Sequence, residues 1–224
     1  MKMTETAAAV VLEPPQPANA AVIWLHGLGA DGHDFVPIVP ELRLPAAVHV
    51  RFIFPNAPVR PVTLNGGLPM RAWYDIKSLT RGDLQDDAGI RASAATLMGF
   101  VAEQIKAGIP RSRIVIAGFS QGGAITLHAV CRLDAPLAGA MALSTYLPLH
   151  DTLPKELTDA GRATPILMCH GTADPVLPLK LGSDSRDGLR GWGCRVDWHQ
   201  YVMGHSVSAD EIGDISRWLS TVLA

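Results

Sequence analysis

Short apolar runs alternate with stretches of helical spacing along this chain. The runs are rich in β-branched residues and are bounded by glycine or proline, a pattern typical of strands buried on both faces of a sheet. Between residues 86 and 106 the apolar side chains recur every three or four positions, which predicts a helix. The predicted strands are Ala21–Leu25, His49–Phe54, Arg113–Ala117, Leu137–Ser144, Pro165–His170 and Arg195–Val202, with an edge strand near Val10–Leu12.

Three further segments carry helix signals. A short helix is predicted from about His33 to Leu42, where two prolines limit its regularity, and another over Ala124–Arg132. The last helix opens with Ser208 at its N-cap and Glu211 three positions later, which is a capping box. Strands and helices alternate without a linker or repeat between them. This alternation predicts one α/β domain over residues 1–224, with a doubly wound, mainly parallel sheet and helices on both faces.

The composition narrows the classes of function. Hydrophobic residues make up 48% of the 224 positions, which is enough for a substantial core. The net charge is −2 and no basic run is interleaved with aromatic residues, so a nucleic-acid partner is not expected. No apolar run approaches the length of a membrane span, and the six apolar residues at 7–12 are too short for a signal-peptide core. We therefore expect no integral membrane association.

The cysteines indicate a reducing compartment. Cys131, Cys169 and Cys194 are odd in number and scattered, and no two of them form a CxxC motif. Their surroundings are apolar or mixed, so each is expected to be a buried, reduced thiol. The sequence thus predicts a cytoplasmic protein and offers no metal site.

The segment that follows the predicted strand at 113–117 carries the strongest chemical signal. Gly118-Phe119-Ser120-Gln121-Gly122 matches G-x-S-x-G between a strand and a helix, which is the context of a nucleophile elbow. Such a turn strains the serine backbone and requires small flanking residues. The alternative is a chance match in a glycine-rich chain. The strand before and the helix after favour Ser120 as a nucleophile.

A serine nucleophile needs a histidine base and an acid that orients it, in the chain order Ser, acid, His. His205 lies in a glycine loop between the last strand and the last helix, and Asp174 lies in the loop after an earlier strand. We therefore expect His205 to be the base and Asp174 the acid, although a solvated turn aspartate is the alternative for Asp174. The other histidines and acids considered have structural or surface explanations: His128, His150, His170, His199, Asp184, Asp187 and Asp197.

The oxyanion of an ester-cleaving enzyme needs two backbone donors. One is the N–H after the nucleophile, at Gln121, and the other comes from the loop after an earlier strand. The loop His26–Gly29 fits that description, and Leu28 is its candidate donor.

The same loop contains a competing motif. Gly27, Gly29 and Gly32 match the G-x-G-x-x-G fingerprint of dinucleotide-binding proteins. That fingerprint expects an acidic residue at the end of the next strand, which ends here in Pro55. A NAD-binding oxidoreductase is therefore a remote alternative, as is a hydrolase-fold binding protein without activity, since no catalytic position is substituted.

The segment from Val59 to Asp75 is predicted to be long and irregular, and loops of this length are often functional. We expect its part from Val62 to Trp73 to form a wall for an acyl chain, with its apolar residues facing the substrate. The alternative is that these side chains fill the domain core. The predicted substrate-binding residues are Leu64, Leu68, Met70 and Trp73, together with Val176 from the loop that carries Asp174.

Six segments together resemble the small carboxylesterase and acyl-protein thioesterase family, also called phospholipase/carboxylesterase. They are WLHGLGADGHDF, FPNAPVRPVTLNGG, WYDI, GFSQGGA, CHGTADPVLP and YVMGHSV, and the resemblance runs from about Ala21 to Leu219. The first two segments are more similar to the bacterial carboxylesterase branch than to the eukaryotic thioesterases. Ser120, Asp174 and His205 match the family's catalytic positions, and Leu28 and Gln121 match its oxyanion positions.

The resemblance implies an α/β-hydrolase fold without a large cap domain, and no cofactor or metal. It implies a serine carboxylesterase that hydrolyses short- to medium-chain esters, and acyl thioesters as well, through an acyl-enzyme. An acyl-protein thioesterase or a lysophospholipase is the alternative main activity. Some family members are homodimers, so a homodimer is also an expectation.

Overall fold

An eight-stranded sheet forms the centre of the computed structural model, which describes residues 1–77 and 85–224. Neighbouring strands are parallel except β1 with β2 and β2 with β4, which are antiparallel, in the order β1-β2-β4-β3-β7-β8-β9-β10. The mainly parallel sheet predicted from the sequence is therefore confirmed. The strands of this sheet are β1 (Lys2–Glu5), β2 (Ala9–Glu13), β3 (Ala20–Leu25), β4 (Val50–Pro55), β7 (Ile114–Phe119), β8 (Gly139–Leu143), β9 (Ile166–Gly171) and β10 (Val196–Tyr201).

The central strands are apolar on both faces because helices cover both sides of the sheet. On β3, Ile23 and Leu25 point into one buried cluster, whereas Val22 and Trp24 point into the other. Side chains that alternate along a strand can fill two cores only when both faces are covered. The helices are α1 (Asp87–Lys106), α2 (Gln121–Val130), α3 (Leu153–Glu156), α4 (Asp159–Ala163), α5 (Leu179–Gly191) and α6 (Ala209–Val222).

The helices divide between the two cores. Buried residues of α1 and α2 belong to the cluster that contains Ile23, and those of α6 belong to the cluster that contains Trp24. The Asp86 side chain caps α1 by accepting from Gly89 N, and the Ser208 side chain caps α6 by accepting from Glu211 N. The predicted helix starts at 86 and 208 are therefore confirmed. Among the described residues, no helix has both the length and the apolar character needed to span a bilayer.

Several parts of the chain differ from the sequence prediction. The helix expected from about His33 to Leu42 is a 3₁₀-helix, Val36–Glu41, because Pro40 lies inside it and supplies no N–H. Strand β1 was not predicted, since its four residues are all exposed and carry no buried apolar pattern. Helices α3 and α4 are also absent from the sequence prediction, because each is too short for a periodic pattern.

The segment predicted as irregular at 59–75 forms a small antiparallel sheet. Strand β5 (Val59–Val62) pairs with β6 (Leu68–Arg71), and Val62 lies opposite Leu68. The connection is a 3₁₀ turn over Thr63–Asn65, followed by Gly66 and Gly67 at φ of 67° and 79°. Positive φ favours glycine, so these two residues let the chain reverse. The prediction of an irregular segment was wrong here because Pro61 and Pro69 hid the strand pattern.

Candidate active site

Ser120 lies on a strained turn between β7 and α2. Its backbone has φ of 52° and ψ of −117°, and it is one of three residues other than glycine with positive φ among those described. Such a conformation costs on the order of 1–3 kcal/mol and persists only when the surroundings impose it. A Cβ on Gly118 would collide with the Gly122 backbone, and one on Gly122 would lie 2.6 Å from His26 O. The G-x-S-x-G spacing therefore reflects a close approach of three backbone segments.

The structure brings Ser120, His205 and Asp174 into one hydrogen-bonded array. His205 Nε2 lies 2.9 Å from Ser120 Oγ, and His205 Nδ1 lies 2.7 Å from Asp174 Oδ2. The other carboxylate oxygen, Oδ1, accepts from the N–H groups of Val176 and Leu177 at 2.8 and 2.9 Å. Because the carboxylate faces Nδ1, that nitrogen carries the proton and Nε2 is free to accept from the serine hydroxyl. The array can therefore remove a proton from Ser120.

A second histidine supports the turn that carries Asp174. His170 is the next-to-last residue of β9, is fully buried, and its Nε2 donates to Leu177 O at 2.8 Å. The same nitrogen lies 3.6 Å from Asp174 Oδ2. Burial lowers the pKa of His170, so the ring stays neutral beside the array. This agrees with the structural hydrogen-bonding role that the sequence suggested for His170.

The two residues that the sequence offers as oxyanion donors, Gln121 and Leu28, both line the cavity beside Ser120. Gln121 is the first residue of α2, where an N–H has no partner within the helix. Leu28 lies in the loop after β3 and lines the same cavity as Ser120 and Gln121. The positive end of the α2 dipole also points at this place. The oxyanion roles of these two N–H groups stay a prediction.

His26 holds the loop that contains Leu28, and sequence reasoning gave it no such role. Its Nε2 accepts from Ala57 N at 3.1 Å, so Nδ1 carries the proton and donates to Gly27 O at 2.7 Å. Burial lowers the pKa of His26, which keeps this neutral tautomer. Trp73 Nε1 donates to the carbonyl oxygen of His26 at 2.9 Å. The signal in the sequence is that this histidine comes directly after a buried strand, where a polar side chain needs hydrogen-bond partners within the protein.

The Gln121 side chain ties the segment after β6 to the elbow. Its Oε1 accepts from Trp73 N and its Nε2 donates to Tyr74 O, both at 2.8 Å. All three residues are buried. The side-chain amide of Gln121 therefore holds residues 73 and 74 in place beside Ser120.

A cavity of about 270 Å³ opens beside Ser120 and His205. Most of its remaining lining is apolar, and two tyrosines, Tyr74 and Tyr146, also line it. An apolar cavity next to a nucleophile fits an acyl chain better than a charged group. The apolar residues of the lining are Leu28, Ala30, Leu64, Ile76, Phe119, Val176 and Leu177, and Asp34 adds one carboxyl group.

The predicted substrate wall is corrected by this cavity. Leu64 and Val176 line it as expected, but Leu68, Met70 and Trp73 do not. Leu68 is 63% exposed on the outer side of the hairpin, and Met70 Sδ accepts from the Asn65 side chain. Trp73 is 1% exposed and fills the core, as the alternative interpretation of this segment held. Its ring is packed in the core and its N–H donates to His26 O beneath the loop that contains Leu28. No part of the side chain is therefore exposed to a substrate.

The glycines of the competing dinucleotide motif serve the fold of the loop. A Cβ on Gly32 would lie 2.5 Å from Phe54 O, so glycine permits this loop to pack on β4. The α-helix that the motif requires is replaced by the 3₁₀-helix at Val36–Glu41. The NAD-binding alternative therefore loses its structural basis. Within residues 1–77 and 85–224, no group of three or more His, Cys, Asp or Glu side chains is placed to hold a metal ion.

Comparison with known sequences agrees with this geometry. A family model described as Phospholipase/Carboxylesterase matches residues 6–223. The chain is 41% identical over 220 residues to "Acyl-protein thioesterase 1" of Yarrowia lipolytica, covering 92% of this chain and 97% of that protein. It is also 41% identical over 215 residues to the protein of the same name from Neurospora crassa, covering 90% of this chain and 86% of that protein.

Two solved plant structures are similar over nearly the whole chain. Arabidopsis thaliana SOBER1 matches with a TM-score of 0.87 at 30% identity, covering 92% of this chain and 100% of that chain. Zea mays acyl-protein thioesterase 2 matches with a TM-score of 0.85 at 29% identity, covering 96% of this chain and 99% of that chain. The placement in a bacterial branch of the resembled family stays a prediction.

Proposed function

This chain belongs to the phospholipase/carboxylesterase family, has the α/β-hydrolase fold and is a carboxylic ester hydrolase, and from that premise we propose catalytic roles for Ser120, His205 and Asp174. Ser120 is the nucleophile, His205 the general base and Asp174 the group that orients the base. The observation that carries this assignment is the continuous hydrogen-bonded array from Asp174 Oδ2 through the imidazole to Ser120 Oγ.

The reaction proceeds through an acyl-enzyme. Ser120 Oγ attacks the carbonyl carbon of the substrate while His205 Nε2 takes the hydroxyl proton. The oxyanion accepts hydrogen bonds from the N–H groups of Leu28 and Gln121, and Asp174 stabilises the charged imidazolium. His205 then donates the proton to the departing alcohol or thiol. Water enters, gives a proton to His205, attacks the acyl group and releases the acid, and the proton returns to Ser120.

We propose short- to medium-chain acyl esters as the main substrate class. The cavity beside Ser120 is lower in volume than a site for a drug-sized ligand of roughly 300–1,000 Å³, so it suits an acyl chain of limited length. Leu64, Ile76 and Leu177 offer it an apolar wall. Each methylene buried there contributes about 0.8 kcal/mol, which makes chain length the main determinant of kcat/KM.

Thioester hydrolysis on acylated proteins is the second candidate function. It is favoured by the 41% identity to two fungal proteins named acyl-protein thioesterase 1. The same acyl-enzyme serves both reactions, because only the leaving atom changes from oxygen to sulfur. Lysophospholipid hydrolysis stays a third alternative that shares the acyl-enzyme and differs in the leaving alcohol.

The testing experiment combines covalent labelling with a matched substrate panel. A fluorophosphonate should label Ser120 with one equivalent, located by peptide mass spectrometry, and Ser120→Ala should abolish both labelling and acyl-enzyme formation. Residual turnover of about 10³–10⁴ over water can persist from the oxyanion donors alone. Stoichiometric labelling of the Ser120→Ala variant would overturn the assignment. The substrate panel carries one hexanoyl group as a p-nitrophenyl ester, as a lysophospholipid and as a thioester on a peptide cysteine. The kcat/KM values then rank the three leaving groups.

We also propose that residues 1–224 act as one domain in the cytoplasm. Support comes from the three cysteines, which are buried thiols of the kind a reducing compartment maintains. A homodimer is proposed as well, because Val59 and Leu68 expose apolar surface on the hairpin. Light scattering of the purified protein, repeated with both residues changed to serine, tests the dimer.

A further inference from the structure

Two tyrosine hydroxyls meet inside the cavity beside Ser120. Tyr74 Oη lies 2.9 Å from Tyr146 Oη, and both residues line the cavity. Tyr74 comes shortly after β6 and is buried, whereas Tyr146 follows β8 and is partly buried. The pair is thus a polar feature in a cavity that is otherwise lined mainly by apolar side chains.

One of the two hydroxyl protons of this pair has no acceptor among the described residues. Each phenol carries a single proton, and their mutual hydrogen bond uses only one of the two. Burial raises the pKa of both tyrosines, so both hydroxyls are protonated at neutral pH. Within residues 1–77 and 85–224, neither hydroxyl makes a further hydrogen bond. A buried donor without an acceptor is costly, so an acceptor in the cavity is the expected partner.

We propose that the Tyr74–Tyr146 pair is a specificity determinant that donates a hydrogen bond to an oxygen atom within the acyl chain. The enzyme then favours acyl groups that carry a hydroxyl, keto or ether oxygen at one position along the chain. This inference rests on the proposed function, in which the cavity beside Ser120 holds the acyl group.

The effect must depend on position because the apolar part of the cavity offers no hydrogen-bond donor from its side chains. An oxygen that enters apolar surroundings loses its hydrogen bonds to water, and only a donor within reach restores one. Leu64, Ile76 and Leu177 provide none from their side chains. An oxygen placed opposite the tyrosine pair is therefore tolerated or preferred, and an oxygen elsewhere in the chain is disfavoured.

A positional scan of the acyl chain tests the inference. The probes are p-nitrophenyl octanoate and isosteres in which an ether oxygen replaces one methylene at each successive position from C4 outward, where it does not activate the carbonyl group. For each isostere, the ratio of its kcat/KM to that of the octanoate is measured. In the wild-type enzyme, one position should exceed the others by about 3- to 10-fold, the range expected for one neutral hydrogen bond. The double variant Tyr74→Phe/Tyr146→Phe should lose that maximum.

The control is Tyr201→Phe, which removes a phenol hydroxyl that donates to Asp214 away from the cavity lining. This variant should keep the maximum. Each ratio is taken within one variant, so an altered overall rate or stability cancels. A flat profile in the wild-type enzyme, or a maximum that survives in the double variant, would overturn the inference. Failure of the proposed function is a separate result: no turnover of the octanoate and no label on Ser120.

Discussion

His205 Nε2 lies 2.9 Å from Ser120 Oγ, although 85 positions separate the two residues in the chain. Ser120 follows β7, and His205 follows β10, three strands away in the same parallel sheet. Loops after parallel strands meet at one edge, so the topology delivers both side chains to the same place. The ring of Phe119 lies 4.8 Å from the His205 ring, centroid to centroid, and restricts its orientation.

Asp174→Asn should lower kcat for ester hydrolysis by up to about 10⁴-fold, because an amide in place of the carboxylate selects the wrong imidazole tautomer. The measurement is steady-state turnover of p-nitrophenyl hexanoate. Asp197→Asn and Asp187→Asn are the controls, since both side chains are exposed on β10 and α5. If either control were crippled while Asp174→Asn stayed near the wild-type rate, the acid would be misassigned.

Leu64→Ala should reduce kcat/KM for octanoate esters more than for acetate esters, because Leu64 lines the cavity and Ala removes part of the apolar wall. A loss of roughly 2- to 10-fold in the octanoate-to-acetate ratio follows from about 0.8 kcal/mol per buried methylene. Leu68→Ala is the matched control: it lies four residues away, is exposed and does not line the cavity. An equal loss in both variants would show that the hairpin acts through stability alone.

Gln121→Ala should lower the free energy of unfolding by about 1–3 kcal/mol, because it leaves the buried Trp73 N–H and Tyr74 carbonyl without their partner. Chemical denaturation measures the change. Gln200→Ala on the exposed face of β10 serves as the control and should shift stability by less than about 0.5 kcal/mol. A Gln121→Ala variant as stable as the wild type would mean that the side chain is not needed to hold the backbone of Trp73 and Tyr74 in place.

The sequence predicted the array well because its signals are local. A buried strand followed by a glycine turn identifies Ser120, and a glycine loop between the last strand and helix identifies His205. Each assignment needs only the knowledge that parallel strands end at one edge. The distances between the three side chains agree with those expectations, and their catalytic roles stay a proposal.

The cavity was harder to predict because its wall depends on which way side chains point after a hairpin. Apolar character alone could not separate Leu64, which lines the cavity, from Leu68, which faces solvent. The apolar character of the segment also predicts Trp73 as a wall residue, but its ring is anchored by a hydrogen bond to His26 O. Tyr146 escaped notice because the chain brings it to Tyr74 only through the fold, across 72 positions.

One buried carboxyl group lies outside the hydrogen-bonded array of Ser120, His205 and Asp174. Glu211, in the first turn of α6, is fully buried, and neither carboxyl oxygen has a hydrogen-bond partner within the described residues. Burial raises the pKa of Glu211 from 4.5 to about 8, and the nearby Asp214 carboxylate adds to the rise. The Ser208 N–H opposes the rise, although its geometry falls short of a hydrogen bond. At neutral pH the folded protein therefore holds this proton.

Glu211→Gln should make the protein progressively more stable than the wild type as pH rises. Between pH 4.5 and about 8 the folded wild type binds a proton that the unfolded chain has lost, so its stability falls with rising pH. Glutamine has no such proton, and the stability difference should grow by up to about 1.4 kcal/mol per pH unit, measured by urea unfolding between about pH 5.5 and 7.5. Asp210→Asn, an exposed neighbour, should show no such slope. A Glu211→Gln difference that stays constant with pH would mean that Glu211 is already ionised in the folded protein.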